Sequence, residues 1–184
     1  FYNKRRAGLQ SKLKRRNNKE WSEKLDLITQ KRFNRIKNYM HNASSYIIKW
    51  CLNNQIDTLI VGHNDEWKQK VKLKRANNQN FTYIPYEMLI KQLDYKCENV
   101  GIRFIETEES YTSGTSFLDG ELPCKENYDK SRRIKRGLFQ SEKCLINSDV
   151  NGSLQIIRKV FPDAFSYGIE VCLTPTVINA VKMA

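Results

Sequence analysis

From Phe1 to Asn54 the chain has no proline and a single glycine, Gly8. A stretch that long without a breaker reads as helix, and the polar run Arg16-Asn17-Asn18 divides it in two. In the second helix Phe33, Ile36, Met40, Ala43, Ile47 and Trp50 recur at three- and four-residue spacing, which predicts one apolar stripe. Lys31, Arg32, Arg35, Lys37 and Lys49 fall mostly off that stripe. The helix is therefore expected to pack on a sheet and turn its basic side outward.

The sheet should follow at once. Asp57-Thr58-Leu59-Ile60-Val61-Gly62 is a short β-branched and apolar run stopped by a glycine, which fits a strand covered on both faces. Residues 63–81 turn polar, with basic residues at 68, 70, 72, 74 and 75, and read as a loop. Pro85 suits the first position of a helix reaching about Val100, with Met88, Leu89, Leu93 and Cys97 inward and Gly101 as its stop. Ile102 to Ile105 predicts a second strand, and Glu106 to Gly120 a loop. Leu138 to Ile146 reads as an irregular strand, followed by a helix from about Val150 to Val160 with Leu154, Ile157 and Val160 inward.

This order is the back half of an α/β unit. It divides into a basic helical segment (1–54), a core (55–165) carrying an insertion at 114–145, and an irregular tail (166–184). Parallel strands usually lie deep in larger sheets, so two alone are poorly supported, and neighbouring strands are expected upstream of Phe1. The chain also lacks an initiating Met. An N-terminally truncated reading frame is the expectation, with an excised or processed end as the alternative.

Charge is local. Residues 1–54 hold 14 Lys and Arg against three acids, +11 of the net +12, and the other 130 residues are nearly neutral. Lys4, Arg5, Arg6, Lys12, Lys14, Arg15 and Arg16 open this block. A second group is Arg132, Arg133, Lys135 and Arg136. Phosphate backbone is the partner such clusters favour, because neutralising phosphates releases counterions. A solvated helix face, or a solvated insertion for the second group, is the alternative.

No run approaches the roughly 20 apolar residues of a membrane span and no signal peptide opens the chain, so a cytoplasmic protein with neither a membrane nor a small-molecule partner is expected. Five scattered cysteines, none in a Cys-x-x-Cys pair, support neither a disulfide framework nor a zinc site. Small apolar packing is their expected use.

Acidic residues fall where chemistry could use them. Glu106-Thr107-Glu108-Glu109 follows the second strand, and Asp149 stands where the last strand gives way to a helix. Two-metal phosphodiester cleavage needs carboxylates converging on Mg²⁺ ions about 3.5–4 Å apart, and strand ends and helix starts supply them. An Asp before a helix is also a common N-cap, and an acidic run can be a solvated loop. The residues alone leave both readings open.

Trp67-Lys68, Asn78-Gln79-Asn80-Phe81, Ile84-Pro85, Leu93-Asp94-Tyr95-Lys96, Tyr111-Thr112-Ser113 and Asp149-Val150-Asn151-Gly152-Ser153 occur in one order along the chain. In that order they resemble the transposon-encoded TnpB family, also called OrfB, over about residues 1–165. The family's proteins are commonly labelled transposases. The resemblance implies an incomplete RNase H-like (RuvC) fold, a Mg²⁺-dependent DNA endonuclease and two nucleic-acid partners, target DNA and a guide RNA. A nuclease-dead, basic DNA- or RNA-binding remnant, or a decayed reading frame, is the alternative.

Carried over residue by residue, Asp149 matches the last acid of the RuvC triad, with Asn151 and Ser153 expected to support the helix start. The middle acid is usually a Glu at the end of the strand matching Thr58–Val61, where this chain has Gly62-His63-Asn64. Some relatives instead place it three residues before the Thr-Ser pair. Glu109 stands there, with Glu108 in reserve. The first acid is expected upstream of Phe1, so the chain alone is expected not to cut. The family's paired zinc cysteines are replaced by Ser116-Phe117-Leu118-Asp119 and a lone Cys144, so no zinc is predicted. His63, near the strand end, could touch a phosphate, and His41 is expected at a core edge. Trp67, Phe81, Tyr83 and Tyr86 could stack on bases or serve in packing.

Overall fold

The computed structural model describes residues 1–64, 85–165 and 175. Trp67, Asn78 to Ile84, the basic residues at 68–75 and the tail at 166–184 lie outside those residues, Pro175 apart.

Helix α1 (Tyr2–Asn17) ends on Asn18, whose φ of 49° turns the chain back. Ser22 caps α2 (Glu23–Asn53) by accepting from Leu25 N at 3.3 Å. Tyr2 hydrogen-bonds Thr29 at 2.9 Å and lies under the Arg32 guanidinium, 4.5 Å from the ring centroid, which fixes α1 against α2.

Strand β1 (Thr58–Gly62) and strand β2 (Arg103–Thr107) pair in parallel, Thr58 opposite Arg103 through Gly62 opposite Thr107. Between them α3 (Tyr86–Val100) follows Pro85 and stops at Gly101, where a φ of 75° favours glycine. Strand β2 thus runs two residues further than the sequence predicts. Helices α2 and α3 cover one face of the sheet. Ile48, Cys51, Leu93, Cys97 and Ile102 form its core, with Leu59 and Val61 reaching in from β1.

The buried line of α2 departs from the predicted stripe. Met40, Ser44, Ile48 and Cys51 face inward, while Phe33 and Trp50 are 48% and 54% exposed. Polar contacts set this phase. Lys96 of α3 donates to Ser44 Oγ (2.7 Å), Ser45 Oγ (2.8 Å) and the His41 carbonyl (3.0 Å), and Ser44 donates to Gln92 Oε1 at 3.3 Å. A count of apolar residues assigns Ser44 outward, but a partner helix carrying Lys96 and Gln92 draws it in.

The remaining chain builds a second core. Strands β3 (Leu138–Gln140) and β4 (Leu145–Asn147) form a short antiparallel pair, where the sequence predicts one irregular strand. Helix α4 (Ser148–Val160) follows immediately. Phe117, Phe139, Ile146 and Leu154 are buried together, with Phe165 edge-on to Phe117 at 4.8 Å between ring centroids. Helix α4 also packs on the sheet face opposite α2 and α3: a Cβ on Gly62 would lie 2.5 Å from Ile156 Cδ1 and 3.1 Å from Glu109 Cβ. That close approach holds the end of β1, the loop after β2 and the start of α4 together. Among the described residues no helix is long and apolar enough to cross a membrane.

Candidate active site

Beyond β2 the chain turns sharply. The Glu109 carbonyl accepts from Thr112 N (3.3 Å) and Thr112 Oγ1 (2.8 Å), and Tyr111 adopts a φ of 68°. Asn64, just past β1, accepts from Glu109 N at 3.1 Å and donates to Glu109 Oε1 at 3.4 Å. The carboxyl ends of two parallel strands are thereby cross-linked around Glu109. Glu108 takes another course: its carboxylate accepts from Ser110 Oγ, and its carbonyl accepts from Lys159 Nζ at 3.0 Å.

Asp149 lies in the first turn of α4 and does not cap it. Asn147 does that, its Oδ1 accepting from Asp149 N (2.9 Å) and Val150 N (3.2 Å). The Asp149 side chain is 83% exposed, with Arg133 Nη2 4.0 Å from Oδ1. Ser153 Oγ donates to the Asp149 carbonyl at 2.8 Å, so it supports the first turn as expected. Asn151 does something else. Buried, it donates to the Thr115 carbonyl (2.8 Å) and accepts from Phe117 N (2.9 Å), tying the preceding loop to the helix.

Glu109, Asp149 and Arg133 line one cleft of about 770 Å³, together with Asn64, Tyr111, Thr112, Tyr128 and Ser148. Glu109 touches solvent at the surface of this concave site. Protein nevertheless surrounds it densely enough that desolvation raises its carboxyl pKa, while the nearby His63 and Lys159 pull the other way. His63 Nδ1 is 2.8 Å from Glu106 Oε1. Ser148 is buried in the cleft, and its hydroxyl has no hydrogen-bond partner among the described residues.

The donor chemistry suits a hard cation. Two carboxylates and an orphaned hydroxyl offer only oxygen, and a carboxylate whose charge is disfavoured by its surroundings is relieved by a cation. Among the described residues no three His, Cys, Asp or Glu side chains group as a metal cluster. The cleft contributes two acids.

The other singled-out residues lie elsewhere. Lys4, Arg5, Lys12, Lys14, Arg15 and Arg16 are exposed on α1 and Arg6 is half-buried there; none lines the cleft. Lys135 and Arg136 are exposed ahead of β3. Arg132 is committed inside the fold: it pairs with Asp119 and with Glu121 (2.6 Å), donates to the Gln140 carbonyl (2.9 Å) and lies over the Phe139 ring. Burial alone would raise the Asp119 carboxyl pKa, but hydrogen bonds from Ser116, Glu142 N and Arg132 outweigh it and hold the group below its usual range. These contacts occupy the stretch where the family pattern places zinc thiolates. Ser116, Asp119 and Cys144 do not fit that metal, since the carboxylate is already spent on an arginine. His41 sits at the α2–α3 contact, its pKa lowered by burial first and then by Lys96 and Lys37.

Sequence reasoning missed Ser148, Tyr128 and the approach of Arg133 to Asp149. It also missed Asn147 as the cap and offered Asp149 instead, although Asn before a helix start is a strong signal.

Two family models match. Residues 1–68 match the OrfB_IS605 family, described as "Probable transposase", and residues 86–156 match the Cas12f1-like TNB domain. A solved structure, the cryo-EM structure of a Cas12f1–sgRNA–target DNA complex, matches with a TM-score of 0.58 and 19% identity. The match covers 84% of this chain and 40% of the Cas12f1 chain, so this chain spans well under half its length. Among curated proteins no significant match is found. The mixed helix and strand fold is therefore similar to that of Cas12f1, and the two matched segments, each under half of the chain, are similar to the OrfB_IS605 family and to the Cas12f1-like TNB domain.

Proposed function

We propose that this chain forms part of an RNA-guided DNA endonuclease with an RNase H-like (RuvC) core, in which Glu109 and Asp149 are metal-binding acids. One observation carries the reading: the two carboxylates, from the end of a parallel strand and the start of a helix, line a single cleft with Arg133. The likeness to a Cas12f1–sgRNA–target DNA complex supports guide RNA and target DNA as partners. Phosphate backbone along the exposed basic face of α1 fits the same picture.

Each residue has a distinct part. Glu109 and Asp149 would hold Mg²⁺, which when bound supplies charge stabilisation for the attacking and leaving oxygens of phosphodiester hydrolysis. Asn64 fixes the Glu109 carboxylate, and Asn147 frees Asp149 by taking the capping role. Arg133 can orient a phosphate beside Asp149 with paired donors. A third acid, which the family pattern places upstream of Phe1, would complete the set.

The test is Mg²⁺-dependent cleavage of guide-matched DNA by this chain and by a version extended through the upstream reading frame. The extended protein should cut, and Asp149→Asn or Glu109→Gln should lower its rate at least about 100-fold. Undiminished cutting by either variant would overturn the assignment. Salt-sensitive binding without cutting by any form would leave only a nucleic-acid-binding protein.

A further inference from the structure

Beside the acids, the cleft presents two aromatic rings that neither core uses. Tyr111 and Tyr128 line it at 40% and 38% exposure, and they meet edge-to-face with centroids 5.8 Å apart and planes at 72°. Neither belongs to the packed clusters around Cys97 or Phe139. From this arrangement we infer that Tyr111 and Tyr128 are a stacking platform for a base of single-stranded DNA whose phosphate lies between Arg133 and the acids. The inference rests on the nuclease reading for the nature of the ligand and adds to it the part of the site that grips the base.

The backbone is shaped to hold both rings there. Tyr111 sits at φ 68°, a left-handed conformation that a bulky side chain rarely adopts. The turn is nonetheless held by Thr115 Oγ1 donating to the Tyr111 carbonyl at 2.9 Å and by the two bonds to the Glu109 carbonyl. Tyr128 lies against Gly114, where any Cβ would fall 2.4 Å from the ring, and Asp129 N donates to the Gly114 carbonyl at 2.9 Å. The glycine thus backs one ring while strained backbone presents the other. Retained strain at a cleft points to use of the side chain it displays.

The chemistry is complementary. A nucleotide offers a phosphate, which Arg133 can meet, and a π surface, for which tyrosine faces are partners tolerant of base identity. Unstacked bases are accessible in a single strand, and stacked ones within a duplex are not. The platform therefore favours an unpaired strand at the cleft, gripping it without reading its sequence.

A binding measurement in EDTA tests this separately from cutting. The probe is a short single-stranded oligothymidine carrying one 2-aminopurine, whose fluorescence falls when the base stacks. The chain should quench it, Tyr128→Phe should preserve the quenching, and Tyr128→Leu should abolish it with about tenfold weaker binding. Tyr111→Asn, which suits the left-handed backbone, should weaken binding without lowering the melting temperature. A strand of the same length in which every base is replaced by an abasic site should bind the unmodified chain more weakly by a similar factor, which decides the matter even if Tyr128→Leu fails to fold. Equal quenching by the unmodified chain and Tyr128→Leu, or equal affinity for intact and abasic strands, would overturn the inference. Quenching by the chain with no Mg²⁺-dependent cleavage by the extended protein would overturn the nuclease reading and leave the platform standing.

Discussion

The layer formed by α2, α3 and the parallel sheet and the segment from Glu109 to Phe165 bury their interiors by different means. The first is held by aliphatic and thiol side chains at helical and strand spacing, Ile48, Cys51, Leu93, Cys97 and Ile102, with one polar tether through Lys96. The second has a smaller aromatic centre, Phe117 and Phe139, wrapped in hydrogen bonds from Asn151, Gln155, Arg132 and Arg158 to loop carbonyls and carboxylates. Non-directional burial tolerates approximate geometry, whereas a polar network fails when one partner is lost. The segment carrying the candidate acids thus depends on specific pairings, and its precision comes from them.

The two regions should separate most clearly when Phe139, which is fully buried, is truncated. Phe139→Ala should destabilise the second core by about 3–5 kcal/mol. Amide hydrogen exchange should then accelerate across α4 and the 115–147 segment and remain slow in α3. Equal acceleration in α3 would mean that the two regions unfold as one unit and the contrast is only compositional.

Arg132→Met removes the central cation of the polar network in the second region. It strands the Asp119 carboxylate, whose side chain is 5% exposed, and should cost about 3 kcal/mol near neutral pH in denaturant unfolding. Because the folded Asp119 pKa is depressed, its contribution is present above the ordinary aspartate range and is lost as pH falls through the folded value. The gap between the unmodified protein and the variant should therefore narrow in acid. A gap that stays constant with pH would assign Arg132 a packing role over Phe139 alone.

The smallest effect is expected at Glu109. Desolvation raises its carboxyl pKa in the fold, so the protonated form is favoured and stability falls as pH rises through that value. Glu109→Gln should melt slightly above the unmodified chain at neutral pH, with the difference vanishing below the ordinary carboxylate range. Lower stability at neutral pH would make Glu109 a structural residue.

Much of the first region was legible along the chain. The break after Arg16, the strand ending at Gly62, Pro85 at the mouth of α3 and Gly101 at its end are local signals, because caps, breakers and apolar runs act on their own neighbours. The phase of α2 was not, since Ser44 turns inward only to meet Lys96 and Gln92, which are about fifty residues away. In the second region Asp149 and Glu109 could be nominated, but Asp149 could equally have been a cap until Asn147 was seen to take that place. Arg132 read as one of four exposed basic residues, and only folding buries it against Asp119.

The sequence by itself determined where helices and strands start and stop, where the positive charge concentrates, and which motifs stand in order. Those are properties of neighbouring residues and of composition. Tertiary structure decided which acids share a cleft, which arginine faces solvent, and which two tyrosines meet. Such outcomes depend on pairings between residues distant along the chain, and on the absence of a side chain at Gly62 and Gly114, where packing leaves no room for one.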